Sequence, residues 1–237
     1  MANYDLNQKL ANNTYPGRGI VIGLTPDGNN VAMAYFTMGR SVNSRNRIFI
    51  EDGEGIMNKA FDPSKMVDPS LIIYAPIRVL GNTTVVTNGD QTDTVYDYLK
   101  DGKTFEEALT TRTFEPDPPN FTPRISGVIT VEDGKATYQL SILKSMDGNP
   151  DSVCRYFFHY DEPLAGVGHF IHTYQCDGNP IPSFAGEPER VDICNDFEAF
   201  SNNVWTNLNE DNKVSLVTRF ISLKDGSVQQ KIYNKLG

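Results

Sequence analysis

Two short polar runs carry the residue types best suited to ligand chemistry. The first, residues 39–47, holds three arginines and four serine or asparagine side chains in nine residues. The second, residues 86–94, follows an apolar segment and leads into a helical pattern. Clustered guanidinium groups favour phosphate binding, and the start of a helix presents backbone N–H groups to a polar ligand. Together the runs indicate a site for a phosphorylated small molecule that is rich in amide groups.

Each motif also has a purely structural interpretation. The three arginines would form ordinary ion pairs on a solvated loop, although residues 38–50 contain no carboxylate to pair with them. The Asn88-Gly89 pair would be a capped turn between a strand and a helix. The arginine of the Thr-Pro-Arg segment at 122–124 lies either at a strand edge or against a ligand, and the sequence leaves both open.

Charge and composition exclude several classes of function. The chain has 237 residues and a formal net charge of −9, which disfavours binding to nucleic acid or to anionic lipid. No apolar stretch is long enough to span a bilayer, and no secretory signal is evident. Three cysteines without a Cys-x-x-Cys pair predict neither a disulfide framework nor a zinc site, so a cytoplasmic location is expected. His169 and His172 would point to opposite faces of a strand, and we expect no metal site.

Hydrophobic periodicity predicts about ten strands and three helices in a single domain, residues 1–237. Most strands follow each other as hairpins, which predicts mainly antiparallel sheets and the α+β class. Residues 1–14 are expected to be partly loose, and residues 52–69 to form a long excursion. The predicted strands are Arg18–Leu24, Val31–Thr37, Asn46–Glu51, Leu71–Leu80, Thr83–Thr87, Arg124–Val131, Ala136–Lys144, Val153–Tyr160, Val167–Tyr174, Val214–Leu223 and Val228–Tyr233.

Three sequence signals mark helix starts. Thr92 or Asp93 would cap a helix that ends at Lys100. A capping box with Thr104 at the N-cap and Glu107 at N3 begins the second. The third begins at Asn195.

Five motifs occur in the order found in one enzyme family. They are Tyr15-Pro16-Gly17-Arg18; Gly39-Arg40-Ser41 with Asn43–Arg45; Ile72-Ile73-Tyr74 with residues 77–83; Val86-Thr87-Asn88-Gly89 with Thr92-Asp93-Thr94; and Thr122-Pro123-Arg124-Ile125. By these motifs the chain resembles the archaeal-type IMP cyclohydrolase family, including its bacterial relatives. The resemblance covers residues 15–145, and residues 150–237 match the family poorly.

The resemblance implies a four-layer αββα sandwich like that of N-terminal nucleophile hydrolases. It also implies the last step of purine biosynthesis, the reversible closure of 5-formamidoimidazole-4-carboxamide ribotide (FAICAR) to IMP with loss of water. The implied partner is therefore a purine ribotide, with no cofactor and no metal. A homo-oligomer is left open. We see no N-terminal Cys, Ser or Thr nucleophile and therefore disfavour a hydrolase that uses one.

The resemblance also suggests residue roles. Arg40 and Arg45 would bind the 5′-phosphate, and Tyr74 would be the acid/base group or an oxyanion donor, unless it is a tyrosine packed on the sheet. The polar groups that follow Thr87 would read the carboxamide and formyl groups. The predicted catalytic residues are Tyr74, Asp93 and Arg124. The predicted substrate-binding residues are Arg40, Ser41, Asn43, Arg45, Asn88, Gly89, Thr92 and Thr122.

Two other functions stay open. The same pocket would serve a protein that binds purine ribotides without turnover. It would also serve a different nucleotide amidohydrolase on the same fold.

Overall fold

The computed structural model describes residues 4–66, 69 and 71–237. Its strands, in chain order, are β1 (Arg18–Leu24), β2 (Asn30–Met38), β3 (Arg47–Asp52), β4 (Gly55–Ala60), β5 (Ile77–Leu80), β6 (Thr83–Thr87), β7 (Arg124–Glu132), β8 (Lys135–Met146), β9 (Asn149–Tyr160), β10 (Val167–His172), β11 (Glu189–Asp192), β12 (Lys213–Ser222) and β13 (Val228–Asn234). Its helices are α1 (Leu6–Asn12), α2 (Val42–Arg45), α3 (Gln91–Lys100), α4 (Phe105–Thr110) and α5 (Phe197–Asn207).

The strands form two sheets. One has six strands in the order β11-β10-β1-β2-β12-β13, and the other has seven in the order β3-β4-β5-β6-β7-β8-β9. Neighbouring strands pair antiparallel in both sheets. The predicted α+β class with mainly antiparallel sheets is therefore confirmed.

Alternating side chains place the two sheets face to face. Along β1, Ile20 and Ile22 enter the core between the sheets, whereas Val21 points to the outer face of the six-stranded sheet. Helices α1 and α5 cover that outer face with residues such as Leu10 and Phe200. Helices α3 and α4 cover the outer face of the seven-stranded sheet. The layers therefore run helix, sheet, sheet, helix.

Turn chemistry accounts for the hairpins. The predicted turn between β7 and β8 has Asp133 and Gly134 at φ 50° and 74°, the positive angles that a two-residue type I′ turn requires. Asp147 and Gly148 repeat this geometry at φ 52° and 73°. That second turn extends β9 back to Asn149, four residues before the predicted start of the strand at Val153.

Several predicted boundaries are wrong for identifiable reasons. The strand predicted at Leu71–Leu80 begins only at Ile77, because Pro76 has no N–H to donate to a ladder. Helix α3 is preceded by Asp90 at its N-cap, not by Thr92 or Asp93. Thr92 instead places its hydroxyl 2.6 Å from that of Thr87.

The predicted helix starts and the two predicted irregular segments also compare directly with the structure. Helix α5 starts at Phe197, and the Asp196 carboxylate accepts a hydrogen bond from the N–H of Ala199 at 2.6 Å. The capping box of Thr104 and Glu107 is present, as predicted. The excursion predicted at 52–69 contains β4, and its residues 67 and 68 lie outside the described residues. Helix α1 lies within the amino-terminal segment.

The Asn234 side chain joins the edges of the two sheets. Its Nδ2 donates to the backbone oxygen of Phe49 at 3.0 Å, and its Oδ1 accepts from the Phe49 N–H at 2.8 Å. Ser215 donates to the same Oδ1 at 2.8 Å. One amide on β13 thus satisfies both backbone groups of a residue on the edge strand β3.

We expect Asn234→Ala to lower the free energy of unfolding by about 1–3 kcal/mol, because buried backbone groups of Phe49 lose their partners. Urea unfolding measures this change. Gln229→Ala, at an exposed position on the same strand, is the control and should change stability by less than about 0.5 kcal/mol. Equal effects of the two substitutions would contradict the bridging role.

Candidate functional site

Polar side chains converge at one end of the sandwich. The antiparallel order brings the starts of β1, β3 and β7 and the ends of β2 and β6 to the same side. At this end lie five residues that interact electrostatically within the group: Arg18, Arg47, Tyr74, Glu115 and Tyr174. Only Tyr74 of these five was predicted as a site residue. We call this group, together with Tyr35, the arginine–tyrosine cluster.

Tyr74 is held in the cluster by backbone and side-chain contacts. Its carbonyl accepts from the backbone N–H of Asn58 at 2.9 Å, and the Asn58 side chain donates to Ile72 at 2.7 Å. Its hydroxyl lies 2.8 Å from the hydroxyl of Tyr35, a residue of β2 that is completely buried. Burial and the neighbouring Tyr74 raise the pKa of Tyr35 well above its usual value. Tyr74 is thus buried and also bonded through its hydroxyl.

Two arginines lie behind this tyrosine pair with unused hydrogen-bonding capacity. Arg47 is 1% exposed, and only its Nη2 has a partner among the described residues, the carbonyl of Met38 at 3.2 Å. The side chain of Arg18 is 12% exposed, and its buried Nε has no partner in the described part of the chain. Burial and the charge of Arg18 lower the pKa of Arg47. Buried unpaired N–H groups are unfavourable, so they mark a place where negative charge is expected.

Glu115 provides the carboxyl group of the cluster. It is 2% exposed, and its Oε2 lies 3.6 Å from Nη2 of Arg18. Burial raises the pKa of Glu115, and the charges of Arg18 and Arg124 oppose that shift. A carboxyl group with a raised pKa stays protonated to a higher pH than an ordinary glutamate, which suits it to giving and taking a proton.

The four prolines of residues 115–123 predict only an irregular loop. The one available signal for Glu115 was a carboxylate at the head of the loop that leads into the Thr-Pro-Arg motif. Arg47 was part of the predicted arginine run, but it was not selected as a ligand. Arg18 belongs to the first resemblance motif and was likewise not selected.

Thr122 and two tyrosines form a wall beside Glu115. The Thr122 hydroxyl donates to Asp117 at 2.5 Å and accepts from the Tyr174 hydroxyl at 2.5 Å, since it carries a single proton. Burial raises the pKa of Tyr174 to about 12. Tyr15 stacks on Tyr174 with ring centroids 5.8 Å apart. Thr122 therefore lies beside the cluster, and its contact with a substrate stays a prediction.

The predicted strand-to-helix turn is buried and internally bonded. The Asn88 side chain donates to Pro123 at 2.9 Å and accepts from the N–H of Ile125 at 2.9 Å. A Cβ at Gly89 would come within 2.5 Å of Nη1 of Arg124, so a side chain there would displace the guanidinium group. Asn88, Gly89 and Thr92 thus hold β6 and α3 against β7, and their contact with a ligand stays a prediction.

Arg124 is 6% exposed and anchored on both sides of this turn. Its Nη1 donates to Gln91 at 2.7 Å and pairs with Asp90 at 2.6 Å. Burial alone would raise the pKa of Asp90, but Arg112 and Arg124 hold that pKa below its usual value. The predicted Asp93 is not brought to the cluster, since its exposed carboxylate pairs with Arg78 of β5.

The predicted phosphate clamp lies at the rim of the site. Arg40 is exposed, pairs with Asp177 at 2.6 Å and lies over the ring of Tyr15 at 5.1 Å. The Nε of Arg45 donates to the backbone oxygen of Gly39 at 2.9 Å. The clamp residues Ser41 and Asn43 lie on the same short segment, where Ser41 caps helix α2. Through Tyr15, this rim is continuous with the wall formed by Tyr174.

Other features of the molecule lie apart from the cluster. A cavity of about 490 Å³ is formed by turns at the opposite end of the sandwich, and none of its lining residues belongs to the cluster. Among the described residues, no group of three or more His, Cys, Asp or Glu side chains is arranged to hold a metal ion. No helix in the described part of the chain is long and apolar enough to cross a membrane.

Comparison with known proteins agrees with the resemblance drawn from the motifs. Residues 15–226 match the family model described as IMP cyclohydrolase-like protein, so the match continues beyond residue 150. The IMP cyclohydrolase of Methanopyrus kandleri is 32% identical over 194 residues, which cover 72% of this chain and 89% of the relative. That of Methanococcus maripaludis is 33% identical over 129 residues, which cover 52% of this chain and 62% of the relative. That of Methanococcus aeolicus is 27% identical over 167 residues, which cover 68% of this chain and 75% of the relative.

The raised pKa of Glu115 is directly measurable. With carbon-13 at the glutamate carboxyl groups, we expect the Glu115 signal to titrate above pH 4.5, the usual glutamate value, because burial disfavours the charged form. Glu115→Gln identifies the signal. Glu189 is the internal contrast, since a hydrogen bond from His172, together with Lys9, lowers its pKa to about 2. A Glu115 midpoint at or below 4.5 would contradict the predicted environment.

Proposed function

The chain belongs to the IMP cyclohydrolase-like family, and from that premise we propose that it is an IMP cyclohydrolase. It closes FAICAR reversibly to IMP with loss of water, in purine biosynthesis. The observation that carries the proposal is the arginine–tyrosine cluster. There the Tyr74 hydroxyl and the Glu115 carboxyl lie among arginine N–H groups that have no partner in the described part of the chain.

Ring closure needs two proton transfers in each of two steps. In the first step the carboxamide nitrogen attacks the formyl carbon, the carbon–oxygen double bond becomes a single bond, and the nitrogen loses a proton. Tyr74 gives its proton to the formyl oxygen and takes the proton that the nitrogen releases. The product of this step is a ring that carries a hydroxyl on the former formyl carbon, and Tyr74 is neutral again.

The second step removes water. Glu115 is suited to this step because its raised pKa keeps it protonated at a higher pH than an ordinary glutamate. It gives its proton to the leaving hydroxyl, which departs as water, and takes the remaining ring N–H proton as the carbon–nitrogen double bond forms. The carboxyl group is then protonated again. The unpaired N–H groups of Arg18 and Arg47 stabilise negative charge as it develops on oxygen.

The rim residues bind the phosphate in this proposal. Arg40 and Arg45 are exposed guanidinium groups on the segment that also holds Ser41 and Asn43, so a phosphate is able to reach them. The ribotide would then extend past Tyr15 toward Glu115. Thr122 forms part of the wall, and Arg124 is fixed beside it with support from Asn88, Gly89 and Thr92. Asp93 has no role in this arrangement, because it pairs with Arg78.

Three broader proposals accompany the reaction. The layer order supports an architecture of the N-terminal nucleophile hydrolase type. Strand β12, from near the carboxyl terminus, pairs with β2, which supports one domain over residues 1–237. The formal charge of −9 supports a cytoplasmic enzyme of small molecules that binds neither nucleic acid nor membrane.

Turnover of FAICAR, followed by the absorbance of the hypoxanthine ring, tests the proposal. We expect Tyr74→Phe to lower kcat about 100-fold or more with little change in KM, because it removes a transferred proton. We expect Arg40→Ala to raise KM roughly tenfold, because it removes a charged contact to the phosphate.

Arg190→Ala is a matched control for Arg40→Ala. The side chains of Arg40 and Arg190 are both 39% exposed, both pair with an aspartate, and both lie over a tyrosine ring. Arg190→Ala should leave both kinetic parameters unchanged. Tight binding of IMP without turnover would replace the proposal with a ribotide-binding protein. Absence of both would show that the family fold is kept without the reaction.

A further inference from the structure

We infer that Tyr35 is a positioning residue for the reaction: it donates its hydroxyl proton to the Tyr74 oxygen and stabilises the negative charge that forms there when Tyr74 gives up its own proton. The inference rests on the proposed function and extends it to a residue that never touches the substrate. It is carried by the direction of one hydrogen bond.

The burial of Tyr35 and its lack of a second partner in the described part of the chain indicate which hydroxyl is the donor. The two oxygens are 2.8 Å apart, and the distance alone allows either direction. Tyr35 has 0% exposure, and within the described residues its hydroxyl has no other partner than Tyr74. If Tyr74 were the donor, the Tyr35 proton would be buried without an acceptor, which is unfavourable. With Tyr35 as the donor, the Tyr35 proton is bonded to the Tyr74 oxygen. The Tyr74 proton is then free to point toward the substrate, because Tyr74 is 6% exposed.

The neighbouring charges favour the same direction. Arg18 and Arg47 both act electrostatically on Tyr35 and Tyr74. Guanidinium groups carry donors only and accept no proton, so they offer the Tyr35 hydroxyl no alternative acceptor. They add positive charge behind the Tyr74 oxygen when it becomes negative. Glu115 pairs with Arg18, whereas no carboxylate among the described residues pairs with Arg47.

The position of Tyr35 in the fold makes this donor rigid. Tyr35 lies in the middle of β2, which is paired on both sides, with β1 at Ile20 and with β12 at Val217. Its ring stacks on Phe49 with centroids 5.6 Å apart. A hydroxyl held by two strand pairings and a ring stack has little freedom to follow the substrate. It therefore serves to fix the Tyr74 oxygen rather than to exchange protons with the solvent.

Tyr35→Phe tests the inference, because it removes one oxygen and keeps the ring stack. We expect kcat to fall about 10- to 100-fold, the size of a hydrogen bond to a charged group, with KM changed less than about threefold. The alkaline limb of kcat against pH should move to higher pH, because the negative oxygen formed on Tyr74 has lost its hydrogen-bond donor. In a Tyr74→Phe background the same substitution should have no further effect on kcat.

Tyr138→Phe is the matched control. Tyr138 is 1% exposed in the core between the sheets, and its hydroxyl lies 2.6 Å from Nδ1 of His169, away from the cluster. Its loss should leave kcat and the pH profile unchanged. Should Tyr35→Phe not fold, 3-fluorotyrosine at position 35 keeps the ring and strengthens the donor. In that case the alkaline limb should move to lower pH.

The outcomes separate the inference from the proposed function. Absence of turnover by the unaltered protein overturns the proposed function, and this inference with it. If the unaltered protein is active, an unchanged kcat or an unmoved alkaline limb in Tyr35→Phe overturns the inference alone. Equal losses in Tyr35→Phe and Tyr138→Phe, or additive losses in the double variant, would also overturn it, because they indicate a general packing defect.

Discussion

Two like charges held together inside the protein dominate this structure. Burial and the nearby charge of Arg18 lower the pKa of Arg47, and Glu115 is the carboxyl group paired with Arg18. Burial of charge without a full set of partners is costly for a folded protein. The cost becomes useful where negative charge develops during a reaction, because the positive groups are already in place and no solvent must rearrange. In the proposed reaction, the hydroxyl of Tyr74 and the carboxyl of Glu115 act next to this positive charge.

The sandwich explains how such a cluster is assembled. The inner faces of both sheets are apolar, so side chains that do chemistry are confined to the ends of the strands. Antiparallel order then collects groups from distant parts of the chain at one end, among them Arg18, Tyr74 and Tyr174. The buried turn around Asn88 fixes Arg124 beside this end, with Gly89 leaving room for its guanidinium group. The helices contribute by covering the outer faces and holding the sheets in place.

The arginines illustrate how one residue type acquires different uses. Arg40, Arg45 and Arg47 lie within a single run of the sequence, and each is equally able to bind an anion. In the fold, Arg40 and Arg45 stay at the surface, where Arg40 pairs with Asp177 and Arg45 donates to the backbone oxygen of Gly39. Arg47 begins β3 and is drawn between the sheets, where it meets Met38 and the charge of Arg18. The local density of arginine predicts an anion site, but it does not distinguish arginines at the rim of the cluster from one in the interior.

The sequence alone predicted those features that depend on interactions between residues close together along the chain. The hairpins, the Thr104–Glu107 capping box and the α+β class follow from alternation, turn residues and capping groups that are neighbours along the chain. The order of the motifs was likewise sufficient for the family. The bond between Tyr35 and Tyr74, the pairing of Asp93 with Arg78 and the burial of Glu115 were not readable in this way. Each depends on which face of a sheet meets another, and only the packing of the two sheets, with residues far apart in sequence, establishes that.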